Sequence, residues 1–271
     1  MTIYGIDFTS RPSRRKPITC LECRFDGLRL EAVELTEWRD FAGFETALRR
    51  PGPWIAGIDF PFGQSRAFIE NIGWPDTWAG YVDHAAGLGR DGFSAALDGY
   101  RATRAPGDKE HRRATDRATG AISPQKLYGT PVGLMFFEGA PRLRKAGVRI
   151  PGLQDGDPER IVVEAYPGAL ARRLIGKESY KQDARSKQTA QRDAARKRLL
   201  DLILDGEPTQ SIYGLKVEAD PSLAEDPSGD RLDALLCAIQ AAWAWTQREQ
   251  GFGMPAAMDC LEGAIADPIG R

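Results

Sequence analysis

The chain has 271 residues, 42% of them hydrophobic and 28% charged, with a net charge of −1, the mix of an ordinary globular protein. No apolar run approaches the ~20 residues of a membrane span. The start, Met1-Thr2-Ile3-Tyr4, is already strand-like and has no signal-peptide pattern, so a cytoplasmic protein with no membrane partner is expected.

The first sixty residues predict strand, strand, strand, helix, strand. Residues 3–7 are a short apolar run ending in Asp7. Residues 17–24 and 28–35 are two strands separated by Phe25-Asp26-Gly27, a tight-turn signal for a hairpin. Arg11, Arg14, Arg15 and Lys16 follow Asp7 on the first turn, within reach of a cleft mouth. Cys20 and Cys23 form a C-x-x-C inside a strand-like stretch, and Cys237 and Cys260 stand 23 residues apart. Structural zinc needs a second close pair, so reduced, buried or half-buried thiols are expected. Trp38, Phe41, Phe44 and Leu48 predict an amphipathic helix over 37–50, with Thr36 as N-cap and Pro51-Gly52-Pro53 as its stop. Residues 54–59 form a nearly continuous apolar run, typical of a strand buried on both faces. A strand–helix–strand order implies a parallel pair joined by a right-handed crossover. Asp7 and Asp59 would then project from the carboxyl ends of two strands into one crevice.

Residues 63–157 are rich in Gly and Pro, with a helical piece over 95–103 and an apolar segment after Gly129-Thr130-Pro131. They are expected to be an insertion that builds one wall of the cleft. The two histidines, His84 and His111, are expected to be exposed or structural. A further strand, 160–164, ends in Glu164, and Ala165-Tyr166-Pro167-Gly168 breaks it before a helix from about Ala169. From 172 to 198 there are ten Lys/Arg against three Asp/Glu, and from 201 to 271 four against thirteen. Separated blocks of this kind fit a basic surface for a polyanion, or simply a solvated helix face. The last strong helix spans 230 to about 247 and opens on Asp230 and Asp233, which share one helical face.

Helix capping explains either of these last two acids alone. The set of carboxylates is more telling. Acids at strand ends beside apolar runs repel one another and are partly desolvated, and a divalent cation neutralises such a cluster most naturally.

Gly5-Ile6-Asp7, Gly57-Ile58-Asp59-Phe60-Pro61, Val163-Glu164-Ala165-Tyr166-Pro167 and Asp230-Arg231-Leu232-Asp233-Ala234 together resemble the predicted-nuclease family known as domain of unknown function 429. Met135-Phe136-Phe137-Glu138-Gly139 and Glu262-Gly263 are similar to that family too, with Ala264 where an aromatic is more usual. The resemblance implies a single α/β domain over 1–271 with a ribonuclease-H-like mixed sheet: a three-strand meander, a helix and parallel strands. Helices would cover both faces, with the insertion following the fourth strand. It also implies that Asp7 is the first-strand metal ligand, Asp59 the fourth-strand acid, and Asp233, with Asp230 one turn back, the late-helix acid. Glu164 would be an extra ligand or support one. Glu45 is the one candidate for the first-helix Glu of ribonuclease H, but its place in the periodic pattern does not match.

A cluster of this kind supports metal-assisted phosphodiester hydrolysis, with two Mg²⁺ or Mn²⁺ ions about 3.5–4 Å apart. Oxygen-only ligands favour those ions. Arg14, Arg15, Lys16, Lys126 beside Tyr128, Lys181 and Lys187 would then follow a nucleic-acid backbone. Two other functions fit the same fold: a non-catalytic nucleic-acid or partner-binding module, and an actin-like or sugar-kinase-type phosphotransferase. Asp7-Phe8-Thr9-Ser10 lacks the glycines a phosphate loop needs.

Overall fold

The structure is a computed structural model and describes residues 1–268. Three consecutive strands, β1 (Thr2–Asp7), β2 (Ile18–Phe25) and β3 (Arg29–Trp38), form an antiparallel meander. The β2–β3 turn is made as its sequence demands. Gly27 takes φ +112°, and Asp26 Oδ1 accepts the backbone N–H groups of Leu28 and Arg29 at 3.0 and 2.8 Å.

The helix expected over 37–50 is shorter. β3 runs on to Trp38, because Glu37 and Trp38 pair with Thr19 and Ile18. Ladder pairing therefore overrides the helical spacing of Trp38. Asp40, not Thr36, is the N-cap, accepting from Ala42 and Gly43, and α1 spans Phe41–Ala47.

β4 (Trp54–Ile58) lies parallel to β1, with Gly5 opposite Gly57 and Ile6 opposite Ile58. The 63–157 stretch holds five helices: α2 (Arg66–Ile72), α3 (Trp78–Gly87), α4 (Gly89–Ala102), α5 (Ala114–Thr119) and α6 (Val132–Ala146). The two-residue strand β5 (Val148–Arg149) closes it. Then come β6 (Asp157–Glu164), α7 (Pro167–Ile175), α8 (Ala190–Leu204), α9 (Glu207–Tyr213), β7 (Lys216–Glu218) and α10 (Asp230–Thr246). The basic 172–198 stretch thus spans the end of α7, a connection and the first part of α8. Among the described residues the seven strands form one mixed sheet, ordered β5-β6-β4-β1-β2-β3-β7. Among the described residues, no helix is long and apolar enough to cross a membrane.

Each face of the sheet carries its own core. Ile6, Phe8, Ile58 and Val162 meet Phe68, Tyr81, Phe93 and Phe136 of α2, α3, α4 and α6. Ile3, Ile55, Ile161 and Val163 meet Leu170, Leu199, Leu235 and Ile239 of α7, α8 and α10. α10 is buried on nearly every side, as its almost unbroken apolar sequence requires.

It also lies unusually close to the sheet. A Cβ on Gly5 would stand 1.9 Å from the Ala234 carbonyl oxygen, and one on Gly57 would stand 2.3 Å from that of Cys237. Those contacts are with backbone, which cannot swing aside. Gly5→Ala is therefore expected to lower stability by about 1–3 kcal/mol or more, the range for overpacked cores. Gly87→Ala, where a Cβ meets nothing within 4 Å, serves as control in the same thermal melts. Equal Tm values for the two variants would contradict the close approach.

Candidate metal centre

Strand parity sets the site. Gly5 and Gly57 face α10, and so do the residues two further along each strand, Asp7 and Asp59. The same small residues that admit the helix therefore deliver two carboxylates to its first turn. α10 begins at Gly229 (φ +79°), and Asp233 donates its backbone N–H to the Gly229 carbonyl at 2.8 Å. Oxygens of Asp7, Asp59 and Asp233 all lie within 4.8 Å of one another. The positive end of the α10 dipole favours negative charge there.

Asp7 is 5% exposed, and its carboxylate takes no hydrogen bond or ion pair from any described residue. Asp59, half-buried, is equally without one. Burial, with Asp230 and Asp233 adding repulsion, holds the Asp7 carboxyl well above the usual carboxylate range. Burial likewise pushes Asp59 up to about 7; Lys181 opposes the shift and Asp233 adds to it. Asp233 itself is satisfied: Tyr180 donates its hydroxyl to Oδ1 at 2.6 Å, and Lys181 Nζ sits on Oδ2.

The donor set fits a hard divalent cation. It offers oxygen alone, and one buried carboxylate has no other partner. The spread of up to 4.8 Å is slightly wider than the ~4.2 Å between opposite oxygens of an octahedral Mg²⁺.

Two expected ligands lie outside this triad. Glu164 pairs with Ile58, one residue out of step with Asp59, and so points to the opposite face of the sheet. There Arg113 grips both its oxygens, at 2.7 and 2.5 Å, and the Phe62 backbone N–H adds a bond of 2.8 Å. Asp230 faces the right way but is taken by Lys16 Nζ at 2.7 Å.

The expected nucleic-acid contacts divide as well. Arg14, Arg15 and Lys187 are exposed, and Lys126 lies 5.0 Å from the centre of the Tyr128 ring. Lys16 and Lys181 instead turn inward to the acids. Within the basic block Arg196 is a structural residue, 3% exposed, and Lys197 and Arg198 are ion-paired with Asp193 and Glu178. Glu45 pairs with Arg142, away from the triad. His111 Nε2 and the Tyr100 hydroxyl share a 2.6 Å hydrogen bond, a structural role, while His84 is exposed against Trp74. The four cysteines are free; Cys20, Cys23 and Cys237 are buried, whereas Cys260 is exposed, contrary to expectation.

Sequence reasoning missed Tyr180 and Arg113, and it did not foresee the ion pairs of Lys16 and Lys181 with the acids. For Tyr180 the signal was weak: a tyrosine beside a lysine in a basic connection, distant in sequence from any acid.

Two adjoining cavities open on Asp7 and Asp59. One, about 540 Å³, is lined by Asp7, Ser10, Arg11, Lys16 and Lys181; the other, about 280 Å³, by Asp59, Arg113, Tyr166 and Tyr180. A larger hollow of about 940 Å³ lies elsewhere, between α2, α5 and the C-terminal segment. Its charges largely satisfy one another, as Arg66 does with Asp259 and Glu70. A cleft of about 440 Å³ at the opposite end of the strands, among Arg49, Arg142 and Arg160, holds no part of the triad.

A family model described as "Protein of unknown function (DUF429)" matches residues 5–257. No curated protein and no solved structure matches the chain.

Proposed function

We propose that this chain, which belongs to the DUF429 family of proteins of unknown function, is a metal-dependent nuclease that hydrolyses phosphodiester bonds of nucleic acid. One observation carries the reading: Asp7, nine-tenths buried and without a partner, faces Asp59 and Asp233 within 4.8 Å. An arrangement that leaves a buried carboxylate unpaired costs stability, and a bound cation removes that cost.

Asp7 and Asp59, the two acids without partners, would hold Mg²⁺ or Mn²⁺, with Asp233 beside them. The ion would supply charge to a phosphoryl oxygen and lower the pKa of an attacking water. The chain's own groups do the rest. Tyr180 fixes the Asp233 carboxylate, and Lys16 restrains Asp230. Arg11 lines the larger cavity, and exposed Arg14 and Arg15 on the same loop supply attraction for a polyanion.

A ribonuclease-H-like assignment is supported by the meander, by β4 parallel to β1 and β6 parallel to β4, and by a late helix that brings its acid to the first strand. A phosphotransferase is less well supported. Phe8, directly after Asp7, is 3% exposed and packs on Phe60 with ring centroids 4.8 Å apart. That anchors a core side chain where a phosphate loop needs open backbone.

The test is a cleavage assay on single-stranded, double-stranded and branched DNA, on RNA and on RNA–DNA hybrid, with Mn²⁺ or with EDTA. Metal-dependent cleavage by the wild type that is lost in Asp59→Asn is expected. Binding of these substrates without turnover under any metal would favour the binding-module reading instead.

A further inference from the structure

Both oxygens of Asp233 already have a partner: Tyr180 donates to Oδ1 and the Lys181 ammonium sits on Oδ2. The Lys181 head group is delivered there by a built framework. Arg196, 3% exposed, donates Nη1–H to the Tyr180 carbonyl at 2.9 Å and Nε–H to that of Ala224 at 2.7 Å. Gln182 donates its backbone N–H to the Pro227 carbonyl at 3.1 Å. Gly229 has no side chain where a Cβ would meet Lys181 Cβ at 2.7 Å, so the lysine passes directly over the start of α10. Its side chain is 43% exposed, while its ammonium turns inward to Asp233. Lys16, bonded to Asp230 and to Asp183 of the same 176–189 connection, ties the first turn to this framework.

Charge then limits what else can enter. Among the buried and half-buried acids, Asp7, Asp59, Asp230 and Asp233 face Lys16 and Lys181: four carboxylates against two ammonium groups, which leaves two negative charges, while Asp183, the other partner of Lys16, stands in solvent and is screened. One divalent ion cancels them. A second would leave the buried cluster positive and would need the Asp233 oxygen that Lys181 occupies.

Resting on the metal-centre reading above, we infer that Lys181 is a built-in cation that takes the place of a second metal ion, so that this centre binds a single divalent ion between Asp7 and Asp59. Lys181 is a positioning residue here: it reserves one oxygen of Asp233 and restricts the ion to the two carboxylates that lack partners.

The experiment is Mn²⁺ titration of the full-length protein, followed by calorimetry for stoichiometry and by electron paramagnetic resonance for spin coupling between ions. The wild type is expected to bind one Mn²⁺ with an uncoupled spectrum. Lys181→Met should accept a second ion and show a spin-coupled pair, while Lys181→Arg, which keeps the charge, should remain at one. Two coupled ions in the wild type would overturn the inference and leave the metal centre standing. So would a Lys181→Met protein, folded by circular dichroism, that still stops at one. If that variant does not fold, the wild type and Lys181→Arg decide the question by themselves. Absence of Mn²⁺ binding in folded wild type overturns the metal centre itself and the inference with it.

Discussion

Asp7→Asn is expected to weaken Mn²⁺ binding by at least ~100-fold and, at the same time, to make the metal-free protein more stable. Losing a group that merely supports a ligand typically costs 10–100-fold in metal affinity, and Asp7 would be a ligand itself. The opposite effect on stability follows from its surroundings. The Asp7 carboxyl is buried, without a partner, and repelled by Asp230, Asp233 and Asp59. A neutral amide of the same shape removes that repulsion, worth on the order of 1–3 kcal/mol at pH 8.

The pH dependence has a definite sign. Asp59 has a folded pKa of about 7, against about 3.9 for an unfolded Asp. Between those values the folded state binds the proton that the unfolded state has released. The stabilising contribution is therefore complete below about pH 4 and is lost as pH rises through about 7. Surface acids such as Asp157 and Asp193, held low by Arg160 and Lys197, act the other way, so the informative quantity is the difference between variant and wild type. Asp7→Asn removes one of the repelling acids, and its advantage over wild type should grow from pH 4 to pH 8. Added Mn²⁺ should raise the Tm of wild type at pH 8 and barely move that of the variant. Equal Mn²⁺ stabilisation of both proteins would remove Asp7 from the site.

The acids of the first and fourth strands were legible because each motif carries its own geometry. A strand ending in Gly-Ile-Asp places the glycine and the acid on one face, and parallel pairing of two such strands sets the acids side by side. What the sequence did not reveal was why the glycines are there: they admit the α10 backbone, which is how Asp233 arrives. Glu164 was misplaced by a single residue of register. A strand end looks the same in sequence whichever face its last side chain takes, and the pairing of Glu164 with Ile58 decides it. Lys16 and Lys181 were read as surface contacts for a polyanion because nothing local distinguishes a solvated lysine from one that folds inward. The bond from Lys181 spans 52 positions to Asp233 and depends on Gly229 and Arg196 at once. The helix over 37–50 failed for a related reason: Trp38 fits both the helical spacing and the strand, and its partner Ile18 settles which prevails.

Arg113→Met is expected to be the most destabilising single change, at about 3–5 kcal/mol, the usual cost of breaking a buried ion pair from one side. Arg113 is 1% exposed and is the hub of the sheet face opposite the triad. Its guanidinium donates to both oxygens of Glu164, to both oxygens of Asp116, and to the Glu262 carbonyl at 3.1 Å. Without it, two carboxylates at 3% and 1% exposure face each other with no counter-charge. Glu164 is held above the usual carboxylate range by burial even now, with Arg113 counteracting, so its loss drives that group further toward the neutral form. A raised folded pKa means stability that falls as pH rises, and the variant should lose more at pH 8 than at pH 5. Arg113→Met combined with Glu164→Gln removes the stranded charge and should recover part of the loss, while leaving Asp116 to be neutralised separately. The consequence for the metal centre is indirect but measurable. Glu164 also accepts from the backbone N–H of Phe62, three residues after Asp59 in the chain. An unpaired Glu164 therefore loosens the segment that aims Asp59, and Mn²⁺ affinity should fall in the single variant and return in part in the double. Additive losses in chemical denaturation, with no recovery in the double variant, would show that Arg113 stabilises the fold through packing and not through its charge.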